Sequence, residues 1–156
     1  MTALRRQRVF DAMAAAPGGA AGFLLSPERV EQAQAGIDAM APVALAELEI
    51  VVGRIIACAQ TRTDADFIFK TAHDVRGTAG SFGLHALGAV AGELRAYGQH
   101  RGPGFEPDWV IVKSLALMLG RAFRFPDELP GVVIATECRK VVIEALRREG
   151  RSTDVD

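Results

Sequence analysis

Residues 72–83 read Ala-His-Asp-Val-Arg-Gly-Thr-Ala-Gly-Ser-Phe-Gly, placing His73 in a helical pattern that also holds glycines. An imidazole has an unperturbed pKa of about 6.5, so an exposed one is largely neutral near pH 7 and offers a ring nitrogen as nucleophile or base. Each helical glycine costs about 1 kcal/mol relative to alanine. At about 100° per residue, Gly77 lies roughly 40° and Gly80 roughly 20° from His73 on the helical wheel. Both bare positions therefore share the histidine's face, one and two turns C-terminal to it. That cost is rational if something large must approach the ring. A general base needs a partner, and Asp74 projects about 100° away, so no acid–base pair is indicated. No nucleophile pattern, metal-ligand spacing, Gly-rich phosphate loop or ATP signature accompanies the histidine.

The elements that must hold this histidine read as helices. Residues 3–15 suggest a short alanine-rich helix, followed by a Gly/Ala linker to about residue 25. Ser26-Pro27 then opens a helix, serine capping and proline taking the first helical position. Pro42 either kinks that helix or starts the next. Leu45, Leu48, Val52, Ile55, Ile56 and Ala59 repeat at helical spacing, while Ile50 and Val51 add apolar character on another face. This two-sided pattern serves either a core or a dimer. Thr63 and Asp66 resemble a capping box and start the histidine-bearing helix near residue 64. Its inward stripe is expected to be Phe67, Thr71, Val75, Thr78 and Phe82, which leaves His73 facing outward. Gly83 ends it in a tight turn. Leu87, Val90, Leu94 and Tyr97 mark the next helix; Ile111, Leu115, Met118, Ala122 and Phe125 another; Ile134, Cys138, Val141, Val142 and Ala145 a last one. Val132 to Ile134 is the one candidate strand fragment, and its surroundings are helical. Short connections between such helices imply an all-α, antiparallel (up-down) four-helix bundle, with the short N-terminal helix as an addition. The domain limits follow: 1–25 helix and linker, 26–150 bundle, 151–156 polar tail.

The segment around His73 resembles the core motif of histidine-containing phosphotransfer (HPt) domains of multistep phosphorelays. That motif runs His, any residue, apolar, Lys or Arg, Gly, two small residues, two variable positions, apolar, Gly. His73, Val75, Arg76, Gly77, Thr78, Ala79, Phe82 and Gly83 meet it. Lysine is commoner at the position of Arg76. The likeness is sharp over residues 63–98 and elsewhere rests on helix number and length.

The resemblance implies a phosphorelay intermediate, with His73 accepting and donating a phosphoryl group exchanged with the aspartate of response-regulator receiver domains, and a hybrid histidine kinase as a possible further partner. No cofactor is expected on this chain; the receiver brings the Mg²⁺. A phosphoryl group adds roughly two negative charges. Arg76, and after it Lys70, are placed to form charge-assisted hydrogen bonds with it, unless they are only solvated helix charges. Gly77 and Gly80 would admit the receiver's loops, although Gly80 also suits close helix packing. Phe69 would form the apolar part of the docking surface or belong to the core, and Ser81 would donate a hydrogen bond at its edge. Gly88 and Gly92, four apart on the following helix, read as close helix packing, and His85 and His100 as surface residues. The alternative function is a bundle that binds receivers or kinases without transferring phosphate.

Composition narrows the rest. The chain has 156 residues, 49 % hydrophobic and 6 % aromatic, with a net charge of −1. This suffices for one domain with a core, and nothing recruits nucleic acid or an anionic membrane. The most apolar stretch, 41–59, contains Glu47, Glu49 and Arg54, so no spanning helix is expected. Asp11 interrupts what would be a signal sequence after Arg5, Arg6 and Arg8. A cytoplasmic protein is the expectation, with the oligomeric state open and a monomer favoured. Cys58 and Cys138 read as buried reduced thiols.

Overall fold

The structure is a computed structural model that describes residues 26–99, 105–128 and 130–151. The expected N-terminal helix and linker, His100 and the tail beyond Arg151 lie outside the described residues. Among the described residues five helices follow in order: α1 (Pro27–Thr61), α2 (Ala65–Ser81), α3 (His85–Gln99), α4 (Trp109–Arg124) and α5 (Gly131–Arg148). Among the described residues there is no strand, and Val132 to Ile134 are helical. The chain divides into two compact units at Ala39/Met40. In the first, residues 27–39 are the largely exposed opening of α1. Pro42 lies inside α1 and does not open a new helix.

In the second unit α3 is the central helix, packed on α2, α4 and α5. Leu87, Val90, Leu94 and Tyr97 are fully buried on it, as their spacing predicts. From α1, Arg54 lies over the Phe67 ring of α2, 4.6 Å from its centroid. Ile56 fills the space beside Gly120 of α4, where an added Cβ would meet its Cδ1 at 2.7 Å. The buried faces of α1 (Leu48, Val52, Ile55, Ala59), α2, α3 and α4 join one core with Ile134, Cys138, Val142, Ala145 and Leu146 of α5.

Several local expectations are corrected. Asp64, not Thr63, caps α2: its carboxylate accepts from the Phe67 N–H at 3.1 Å. The Thr63 hydroxyl instead pairs with Thr61 at 2.8 Å. The reversal from α1 is tight enough to hold Arg62 and Asp64 at positive φ, 56° and 49°. The buried stripe of α2 is Ile68, Phe69, Ala72, Val75 and Ala79, rotated by roughly 90° from the expected one. Alanines at 72 and 79 let α3 come close, so small residues carry a face that a search for large apolar residues overlooks. Phe125 and Val141 are 50 % and 42 % exposed, not core. Cys138 is buried and Cys58 half-buried, both as free thiols.

The α2–α3 turn closes as expected. Gly83 takes φ 71°, and the Leu84 N–H returns to the Ala79 carbonyl at 2.9 Å, a C-terminal motif that favours glycine. At the opposite end of the pair Phe69, Tyr97 and Phe105 form a cluster with centroids 6.1–6.5 Å apart. Arg151, beyond α5, covers Phe105 at 4.6 Å and donates to the Tyr97 carbonyl at 2.8 Å. The Tyr97 hydroxyl donates to Glu149 and accepts from the Asp108 N–H. These bonds fasten the end of α5 to the bundle. Midway along α3, buried Glu93 receives the Arg139 Nε–H at 2.9 and 3.1 Å.

Candidate functional site

α2 begins at Ala65 and ends at Ser81, which puts His73 at its midpoint. The ring is exposed, because the buried stripe of α2 lies on the other side. Lys70, Asp74, Arg76, Gly77, Gly80 and Ser81 are exposed around it. At Gly77 and Gly80 an added Cβ would meet nothing within 4 Å among the described residues. Neither glycine is required by packing inside the fold. Their helix-propensity cost, about 1 kcal/mol each, leaves open space beside the imidazole.

Gly88 and Gly92 on α3 behave differently. A Cβ at Gly88 would touch Ala79 at 3.6 Å, and one at Gly92 would touch Cδ of Arg76 at 3.6 Å. Close helix packing is therefore their role, and at Gly92 the neighbour is the Arg76 stem. The long side chain rests across the bare backbone of α3, which limits its freedom near His73 while leaving the residue exposed.

One expected docking residue, Phe69, is corrected. Phe69 is 4 % exposed and packs edge-on against Tyr97, with Gly98 beneath it. It cannot form a docking surface, because at about 40° from His73 it falls on the flank that α3 covers. The Ser81 hydroxyl points back along α2 and donates to the Gly77 carbonyl at 3.4 Å; this is the usual return of a helical serine to the preceding turn.

One residue that sequence reasoning missed joins the group. Arg76 lies against Gly92, Ala79 against Gly88 and Phe69 against Gly98. These three pairs define the antiparallel register and bring Arg95, half-buried on α3, level with His73. Its wheel position, about 20° from Gly88, is on the side of α3 that faces α2. Only the register of two helices reveals it, since 22 positions separate it from His73. Among the described residues, Lys70, Arg76 and Arg95 form no ion pair. The site is thus an exposed imidazole at a glycine-bared helix face, with three cations that have no anionic partner among the described residues. Such an arrangement suits an anion carried on the ring.

No described helix is long and apolar enough to cross a membrane. Compared with known proteins, the family model described as "Hpt domain" matches residues 25–124, which takes in α1 to α4 and leaves α5 outside. No curated protein and no solved structure matches the chain.

Proposed function

Because the chain belongs to the Hpt domain family, we propose that it is a phosphorelay intermediate carrying a phosphoryl group on His73. The observation that carries this reading is the exposed imidazole at the midpoint of α2, beside two glycines whose Cβ space is empty among the described residues. A receiver domain presents an aspartyl phosphate to that face. The lone pair of a His73 ring nitrogen forms the N–P bond as the P–O bond to the aspartate breaks. The carboxylate leaves with the electron pair, and the reverse step returns the phosphoryl group to a second receiver. Arg76 and Arg95 hold the phosphoryl oxygens by charge-assisted hydrogen bonds, with Lys70 as a further positive charge. The domain brings no cofactor; the receiver supplies Mg²⁺ and the rest of the transition-state stabilisation. It works in the cytoplasm.

The test is transfer from a panel of phosphorylated receivers. The expected product is an acid-labile, base-stable adduct that is lost in His73→Gln. Arg95→Ala slows transfer about tenfold or more with unchanged helicity, and Arg95→Lys recovers part of the rate, as expected for a charge worth about 1.5–3 kcal/mol. Receiver binding that survives His73→Ala, with no transfer by the wild type, would replace this reading with that of a non-catalytic binding module.

A further inference from the structure

The outward face of α1 in the second unit has an unusual pattern. Met40, Val43 and Ile50 are 68 %, 65 % and 65 % exposed, with Glu47, Arg54 and Ala57 exposed on the same stripe. The stripe lies roughly 150° round the helix from the buried Leu48, Val52, Ile55 and Ala59. Arg54 lies over Phe67 of α2; among the described residues no helix covers the rest of the stripe. Its length, from Met40 to Ala57, is about 26 Å at 1.5 Å per residue.

The order of residues is self-complementary about Ile50. Glu47 comes three residues before it and Arg54 four after; Val43 and Ala57 stand seven before and seven after. A two-fold axis near Ile50 sets Ile50 against itself, Val43 against Ala57 and Glu47 against Arg54, each of the last two pairs occurring twice. A parallel pairing would set Glu47 on Glu47 and Arg54 on Arg54, which like-charge repulsion opposes. Gly53, at the border of the stripe, has no atom of the described residues within 4 Å of where its Cβ would stand, so two backbones can approach there. We infer that this face of α1 binds the same face of a second copy of this chain, antiparallel, with Glu47 and Arg54 as reciprocal ion pairs.

One helix face buries less area than a permanent dimer interface, so the dimer is reversible and concentration-dependent. The experiment is sedimentation equilibrium on the full chain from about 1 µM to about 1 mM. Wild type gives a monomer–dimer equilibrium that weakens with added salt. Ile50→Glu raises the dissociation constant at least about tenfold, since it buries like charges at the axis. Glu47→Arg weakens the dimer and Arg54→Glu weakens it too, while the double variant, which restores opposite charges with reversed order, recovers it. Circular dichroism follows each variant, because Arg54 also covers Phe67. Ile50→Cys, in a chain without its native cysteines, oxidises to a linked dimer faster than Val43→Cys does, a second readout that leaves Arg54 in place. A chain that stays monomeric to about 1 mM, an unchanged constant in Ile50→Glu, or a double variant no tighter than either single one overturns the inference.

Discussion

Replacing Gly77 by alanine separates stability from transfer more cleanly than any other single change. The residue lies inside α2, is not at positive φ, and its added methyl would meet nothing within 4 Å among the described residues. The methyl therefore makes no clash and buries no new area within the fold. What remains is helix propensity, which favours alanine by about 0.8–1 kcal/mol. For a chain of this size, that raises the unfolding midpoint by roughly 2–5 °C. If a receiver must seat against the face that carries His73, the same methyl intrudes on a packed interface, at about 1–3 kcal/mol. The transfer rate then falls by roughly 5- to 150-fold. The assay pairs thermal unfolding with the rate at which a phosphorylated receiver loses its label to the domain. A more stable Gly77→Ala that accepts phosphate at the wild-type rate refutes the argument that the glycine exists for partner access. A less stable one refutes the claim that its surroundings are open.

Gly98→Ala is expected to destabilise the fold, since its Cβ would come 2.5 Å from Cδ1 and 2.7 Å from Cβ of Phe69; overpacking costs about 1–3 kcal/mol, and Phe69→Leu in the same chain should recover part of the loss in chemical denaturation. Arg139→Met leaves the Glu93 carboxylate buried without its ion pair and costs about 2–3 kcal/mol, whereas adding Glu93→Gln reduces that cost; equal stability of the three chains would sink the assignment. Burial, and after it Glu93 and Glu137, push the Cys138 thiol up from 9.0 to about 11. The fold thus favours the neutral thiol, so its contribution is complete below pH 9 and is lost as the pH rises towards 11. Cys138→Ala should show a shallower fall in stability than wild type between those values, measured by urea unfolding at a series of pH values. Tyr97 shifts in the same direction, through burial and its bond to Glu149, and continues the loss at higher pH in both chains.

Spacing alone made the helices legible, because large apolar residues repeat at helical intervals in α3, α4 and α5, and the Gly83 turn has a local cause in its positive φ. The fixed order from His73 to Gly83 likewise made the outward histidine and the glycine-bared face legible, since both are properties of one helix and its wheel. What failed was the angular position of the core on α2. Ala72 and Ala79 are buried because α3 comes close enough to cover them, and a lone sequence carries no signal of how near the neighbouring helix lies. Phe69 moved from surface to core for the same reason: Gly98 opens a space for its ring on a different helix. Asp64 replaced Thr63 as the cap because the reversal from α1 forces positive φ there, a constraint set by both helices together. The sequence by itself determined the all-α class, the motif and the outward histidine, each of which depends on residues within a turn or two. Only the tertiary structure decided which cations surround that histidine. Arg76 leans on Gly92, and Arg95 comes level with His73 through the register between α2 and α3, a relation that exists only once the two helices have packed.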